Sequence, residues 1–91
     1  MLFVWLGFLK DPSAPVPQSV QEQTNDFLQQ PYIPIRSVGQ LRDREGRRAG
    51  MMMVFESDSR KAAEVLVENS PYLKAGLYER HDLFEFRDEI G

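Results

Sequence analysis

Apolar residues along this chain follow two alternating rhythms. Met1 to Leu9, "MLFVWLGFL", is an unbroken apolar run of aromatic and branched residues bounded by Asp11-Pro12. It predicts a strand buried on both faces. "DPSAPVP" is a proline-rich extended connector that cannot be helical. Ser19-Val20-Gln21-Glu22 then fits the S-x-x-E capping box of a helix start. Val20, Thr24, Phe27 and Leu28 recur at helical spacing as its buried stripe, and Pro31 stops it. "YIPIRSVGQLRD" predicts a second strand, with Pro34 marking an edge position. A turn at "DREG" leads into "AGMMMVFE", a third strand apolar on both faces. Ser57 or Asp58 is placed to cap a second helix with a stripe at Ala62, Val65, Leu66 and Asn69. Ser70-Pro71 opens a short helical elbow that Gly76 can end in a left-handed conformation. Leu77 to Arg87 predicts the fourth strand.

The order β-α-β-β-α-β is the split βαβ, or ferredoxin-like, arrangement, an α+β fold built as one domain over residues 1–91. Right-handed crossovers put both helices on one face of the four-stranded antiparallel sheet, with strands one and three in the middle. Those two strands are apolar on both faces, and the helices cover only one. At about 25 cal/mol per Å², a bare sheet face of Phe, Trp, Leu and Met carries a cost of many kcal/mol. A second copy of the same sheet is the simplest cover, so the pattern predicts an isologous homodimer.

Composition narrows the classes. A net charge of −3 argues against a nucleic-acid partner. The absence of cysteine removes disulfides, thiol catalysis and thiolate metal sites. The first apolar run lacks a basic leader and falls well short of the roughly 20 residues that span a bilayer, so no membrane partner and a cytoplasmic address are expected.

The closing stretch "SPYLKAGLYERHDLFEFR" resembles the closing segment of the YciI-like family, an Asp-Pro-Tyr/Phe motif followed by Ala-Gly and a strand. "SVGQLRDREGRRAGMMMVFES" resembles the family's centre, and "MLFVWLGF" its first strand. The resemblance implies ferredoxin-like dimers of the dimeric α/β barrel type. It also implies a site in which a first-helix histidine pairs with the motif's aspartate for proton transfer. Here the first helix, "VPQSVQEQTNDFLQQ", has no histidine, and Ser70 stands at the aspartate position. This member therefore departs from the family's His/Asp pair.

Candidate chemistry is sparse. His81 is the sole histidine and sits mid-strand, so no metal site and no cofactor are expected. It reads either as an exposed or hydrogen-bonded strand residue or as a catalytic group. Glu22 and Asp26 are the acids of the first helix, either a capping partner and a surface charge or replacement bases. Arg36 is either an edge-strand charge or an anion clamp. Arg42, Arg44, Arg47 and Arg48 surround a hairpin with interleaved acids and read as a solvated turn. Two functions follow as expectations. One is a small organic molecule held in an apolar inter-sheet cleft by Arg36, Ser37, Ser70 and His81. The alternative is a small lyase or isomerase using Glu22, Asp26 or His81 as base; whether the chain is an enzyme stays open.

Overall fold

A computed structural model describes residues 1–31 and 34–89. Seven elements follow in order: β1 (Leu2–Leu9), α1 (Gln18–Leu28), β2 (Ile35–Arg42), β3 (Arg48–Glu56), α2 (Arg60–Glu68), α3 (Pro71–Lys74) and β4 (Tyr78–Phe86). The strands form one antiparallel sheet in the order β2-β3-β1-β4. This is the expected ferredoxin-like α+β arrangement, with β1 and β3 central and β2 at an edge. Tyr32 and Ile33, the start expected for the second strand, lie outside the described residues.

Alternation along β1 sorts its side chains by face. Phe3, Trp5, Gly7 and Leu9 are buried, while Leu2, Val4, Leu6 and Phe8 are half-buried. The register carries this across the sheet: Phe3 pairs with Phe55, Trp5 with Met53 and Gly7 with Met51. Phe3, Trp5, Met51, Met53 and Phe55 join Val20, Ala63, Val67, Tyr72 and Tyr78 in one core under the helices. Phe3 and Phe55 stack with ring centroids 6.0 Å apart. On the opposite face Val4 pairs with Val54 and Phe84, and Leu2 with Phe86. Phe84 and Phe86 are 53% and 42% exposed, so this apolar face has no cover among the described residues.

The helix starts differ from the expected ones. Proline, rather than serine, opens α1. Pro17 is the N-cap with φ −55° and no side-chain cap bond, and Ser19 lies inside the helix. Glu22 therefore leaves the capping role and accepts a 3.0 Å hydrogen bond from Gln18 Nε2. Ser59, not Ser57 or Asp58, caps α2: its extended backbone turns Oγ toward the Ala62 N–H, which donates at 3.1 Å. The buried stripe of α2 is Ala63 and Val67 with Leu66 beside it, while Ala62 and Val65 are exposed. Two apolar stripes thus lie side by side on one helix. Proline does open α3, although Ser70 makes no side-chain cap bond. Gly76, at φ +71°, ends the elbow in the left-handed region as expected.

Candidate functional site

Strand alternation and one bulge divide the expected ligand-contacting residues between the two sides of the sheet. Ser37 pairs with Val54 and is exposed on the uncovered face. The register shifts between Ile35 and Ser37, and Arg36, in that bulge, donates from Nη2 to Glu56 Oε1 at 2.7 Å. Ser70 is buried between α2 and α3. His81 pairs with Gly7, which places it on the helix-covered face of β4. Glu22 and Asp26 are exposed on α1. These residues therefore do not gather in a single inter-sheet cleft. Ser37 and His81 thus stand on opposite faces of the sheet, and both are exposed.

His81 has one defined partner. Trp5 Nε1 donates to His81 Nδ1 at 3.1 Å, with the rings edge-on at 6.0 Å. An indole N–H can only donate, so Nδ1 must be unprotonated. The proton of the neutral imidazole then sits on Nε2. In this tautomer the remaining ring nitrogen of the exposed His81 is a hydrogen-bond donor, not a lone pair. That arrangement suits binding an acceptor better than removing a proton.

Trp5 belongs to an aromatic cluster at the Gly7 end of the sheet. Tyr78 packs edge-on to Trp5 at 5.5 Å and beside Tyr72 at 5.8 Å. Arg48 lies over the Tyr72 ring, 5.2 Å from its centroid. The hairpin arginines thus separate. Arg47 stays in the solvated turn, bound to Asp43 at 2.9 Å, while Arg48 folds back onto the core. Burial first, and then the neighbouring Tyr72, raise the Tyr78 hydroxyl well above the ordinary phenol range, with Arg48 opposing the rise. It stays a donor at every physiological pH. Neither Tyr78 nor Arg48 stood out in the sequence as chemistry; the glycine interrupting the β1 run was the available signal, since a strand glycine often marks a close approach.

Open space lies at the opposite end. A cavity of about 300 Å³ is bounded by Pro34, Phe55, Glu56, Ser57, Ala62 and Leu66. A second, of about 410 Å³, is bounded by Phe27, Ala62, Val65, Leu66, Asn69 and Lys74. They share the walls Ala62 and Leu66, and so adjoin in one trough between α1, α2 and the sheet end. Its floor is the second apolar stripe of α2, the stripe that the sequence offered as core. Charge sits at both ends: Glu56, held by Arg36, at one and Lys74 at the other. Such a trough can take an apolar body with a carboxylate or similar head. Among the described residues no group of three His, Asp or Glu side chains is arranged to hold a metal ion. None of the described helices is long and apolar enough to cross a membrane.

The domain family described as "YCII-related domain" matches residues 1–87. No match was found among curated protein sequences. Several solved structures share the fold. One is 5-chloro-2-hydroxyhydroquinone dehydrochlorinase (TftG) from Burkholderia phenoliruptrix in complex with 2,5-dihydroxybenzoquinone. It is 20% identical, with 96% of this chain and 94% of that chain covered and a TM-score of 0.72. Rv0793 from Mycobacterium tuberculosis is 16% identical over 99% of this chain and 98% of its own, at a TM-score of 0.53. SnoaB, a cofactor-independent oxygenase from Streptomyces nogalater, is 20% identical over 98% and 94%, at 0.52. At these identities the likeness establishes the fold.

Proposed function

The chain belongs to the YCII-related domain family, and on that premise we propose that it is a homodimer that binds a small organic molecule in the trough along α2. The observation that carries this reading is the pair of adjoining cavities, about 300 and 410 Å³, walled jointly by Ala62 and Leu66. Their size is that of a small-molecule site, and the walls combine apolar side chains with a few polar groups. Arg36 sits at the Glu56 end, where its guanidinium can exchange one carboxylate for another, and Ser70 follows Asn69 at the other end. The ligand is thus placed on the helix side of the sheet rather than between two sheets. Ser37 lies on the uncovered face, in the surface that a second copy buries, and His81 serves the aromatic end. The cytoplasm is the compartment this reading assigns, in keeping with a chain without cysteine.

A lyase or isomerase using Glu22, Asp26 or His81 as base has weaker support. Glu22 accepts from Gln18 on an exposed helix face, and Asp26 is likewise exposed. The hydrogen bond from Trp5 occupies the Nδ1 lone pair of His81 and leaves a donor at Nε2. Glu22→Gln, Asp26→Asn and His81→Ala should each leave any turnover unchanged; loss of an activity in one of them would restore the enzyme reading.

The binding reading is tested by thermal shift with a broad panel of aromatic and aliphatic carboxylates. At saturating ligand a member of the panel should raise the melting temperature by several degrees. Ala62→Trp, at an exposed position that forms the common wall, should keep the fold and abolish that response. A flat result across the panel, or an unaltered response in Ala62→Trp, defeats the proposal. Sedimentation at micromolar concentration tests the dimer separately, and a monomer there removes it.

A further inference from the structure

The trough along α2 carries charge in its walls, and part of that charge is answered within the chain. Glu56 accepts from Arg36 Nη2 at 2.7 Å. What remains is one charge at each end. Asp58 lines the first cavity and Lys74 lines the second. Neither forms an ion pair among the described residues. Both are exposed, so each can take a counter-charge from a bound molecule.

The wall between these charges is apolar. It follows α2 from Ala62 through Val65 and Leu66 to Asn69, with Phe27 of α1 completing it. At the helical rise that stretch measures about 10 Å. A ligand carboxylate at the Glu56 end would meet Asp58 and would have to displace Glu56 from Arg36. At the other end Lys74 is free to take it. An ammonium has the opposite preference, since Asp58 attracts it and Lys74 repels it.

Building on the trough reading above, we propose that its ligand is dipolar, with a carboxylate at Lys74, an ammonium at Asp58 and an apolar body between them. Two kinds of molecule share that chemistry. One is a short apolar peptide, whose three residues span about 10 Å when extended. The other is a medium-chain ω-amino acid. Exposed ion pairs are individually weak, so the apolar wall carries most of the binding. Asp58 and Lys74 select the class of ligand and fix its direction along α2.

The probes are alanyl-leucyl-alanine and ω-aminooctanoate. Each has counterparts lacking one charge: the N-acetylated and C-amidated peptides for the first, octanoate and octylamine for the second. In calorimetric titration of the wild-type protein, a dipolar probe should bind about fivefold more tightly than either of its counterparts. Whichever dipolar probe binds better identifies the source, peptide or ω-amino acid, and both lie within the proposal. Asp58→Asn should bring the dipolar probe down to the affinity of the counterpart without an ammonium, and Lys74→Met to that of the counterpart without a carboxylate. Asp58→Lys should invert the selectivity, so that octanedioate outcompetes ω-aminooctanoate, an inversion that a merely structural effect does not produce. Equal affinities within both sets, or a preference for the ammonium that survives Asp58→Asn, overturn the inference. If carboxylates then still bind and lose binding in Ala62→Trp, the trough reading stands and only the dipolar ligand falls. If neither these probes nor the carboxylate panel bind, both fall together.

Discussion

The two faces of the sheet are made from the same strands, and β1 and β3 are almost equally apolar on both. On one, Phe3, Trp5, Met53 and Phe55 are no more than 2% exposed. On the other, Val4, Leu6, Met52 and Val54 are only half-buried, and Phe84 and Phe86 of β4 lie open. Identical residue chemistry has thus been satisfied on one side and left unmet on the other. Burial here is decided by which elements exist to cover a face, and two helices and an elbow suffice for one. The dimer proposed above would cover this face by sheet-to-sheet packing at about 10 Å.

Truncation should separate the faces most sharply. Phe3→Ala removes a ring that is fully buried and stacked on Phe55. A loss of about 3–5 kcal/mol is expected, which lowers the melting temperature by more than about 12 °C in a domain of this size. Val54→Ala, on the uncovered face, should cost less than about 1 kcal/mol in an isolated subunit. In a dimer that penalty must grow and become concentration-dependent. Chemical denaturation of both variants at two protein concentrations checks this, and equal losses would erase the distinction between the faces.

Phe84→Lys attacks the open face alone. Phe84, on the edge strand β4, pairs with Val4 on that surface and is 53% exposed. A lysine there is tolerated in a monomer, where its head reaches water. Pressed against a second sheet it must be desolvated, and the dissociation constant should rise by about 100-fold or more. Sedimentation velocity beside circular dichroism distinguishes lost assembly from lost fold. Unchanged sedimentation would mean that this face is not the interface.

How much of this the sequence disclosed follows from the same contrast. The four strands, two helices and the elbow were legible because "MLFVWLGFL" and "AGMMMVFE" are continuous apolar runs and Pro31, Pro71 and Gly76 punctuate them. Helix rotation was not legible. In α2, Ala62-Val65-Leu66 and Ala63-Leu66-Val67 are both apolar stripes, and only tertiary contact selects the second for the core and leaves the first to line the trough. The helix starts also misled, because Ser19 and Glu22 satisfy a capping pattern while Pro17 already fixes the backbone that opens α1. The ligand candidates were chosen as polar residues on β2, β4 and the elbow without knowledge of face. The bulge at Arg36 and the register of β4, itself shifted where Phe8 meets Arg80 and Leu9 meets Tyr78, then separate Ser37 from His81. Arg48 was hidden for a plainer reason: it looked like one more charge in a charged turn.

The smallest expected effect concerns what each face does to a polar group. Burial raises the Tyr78 hydroxyl above the ordinary phenol value of about 10. The unfolded chain ionises this group near pH 10, whereas the folded chain holds its proton to higher pH. Below pH 10 both states are protonated and the difference contributes nothing to the pH dependence. As pH rises past 10, ionisation favours the unfolded chain, and stability should fall by about 1 kcal/mol per pH unit over the first unit or so. Lysines and other groups also titrate there, so the informative quantity is the difference in slope between the wild type and Tyr78→Phe. The variant should show the shallower decline between pH 10 and 11, measured by urea unfolding at fixed chloride. Parallel slopes would mean that the hydroxyl is open to water, and the covered face would then be less sealed than the packing of Tyr78 over Gly7 requires.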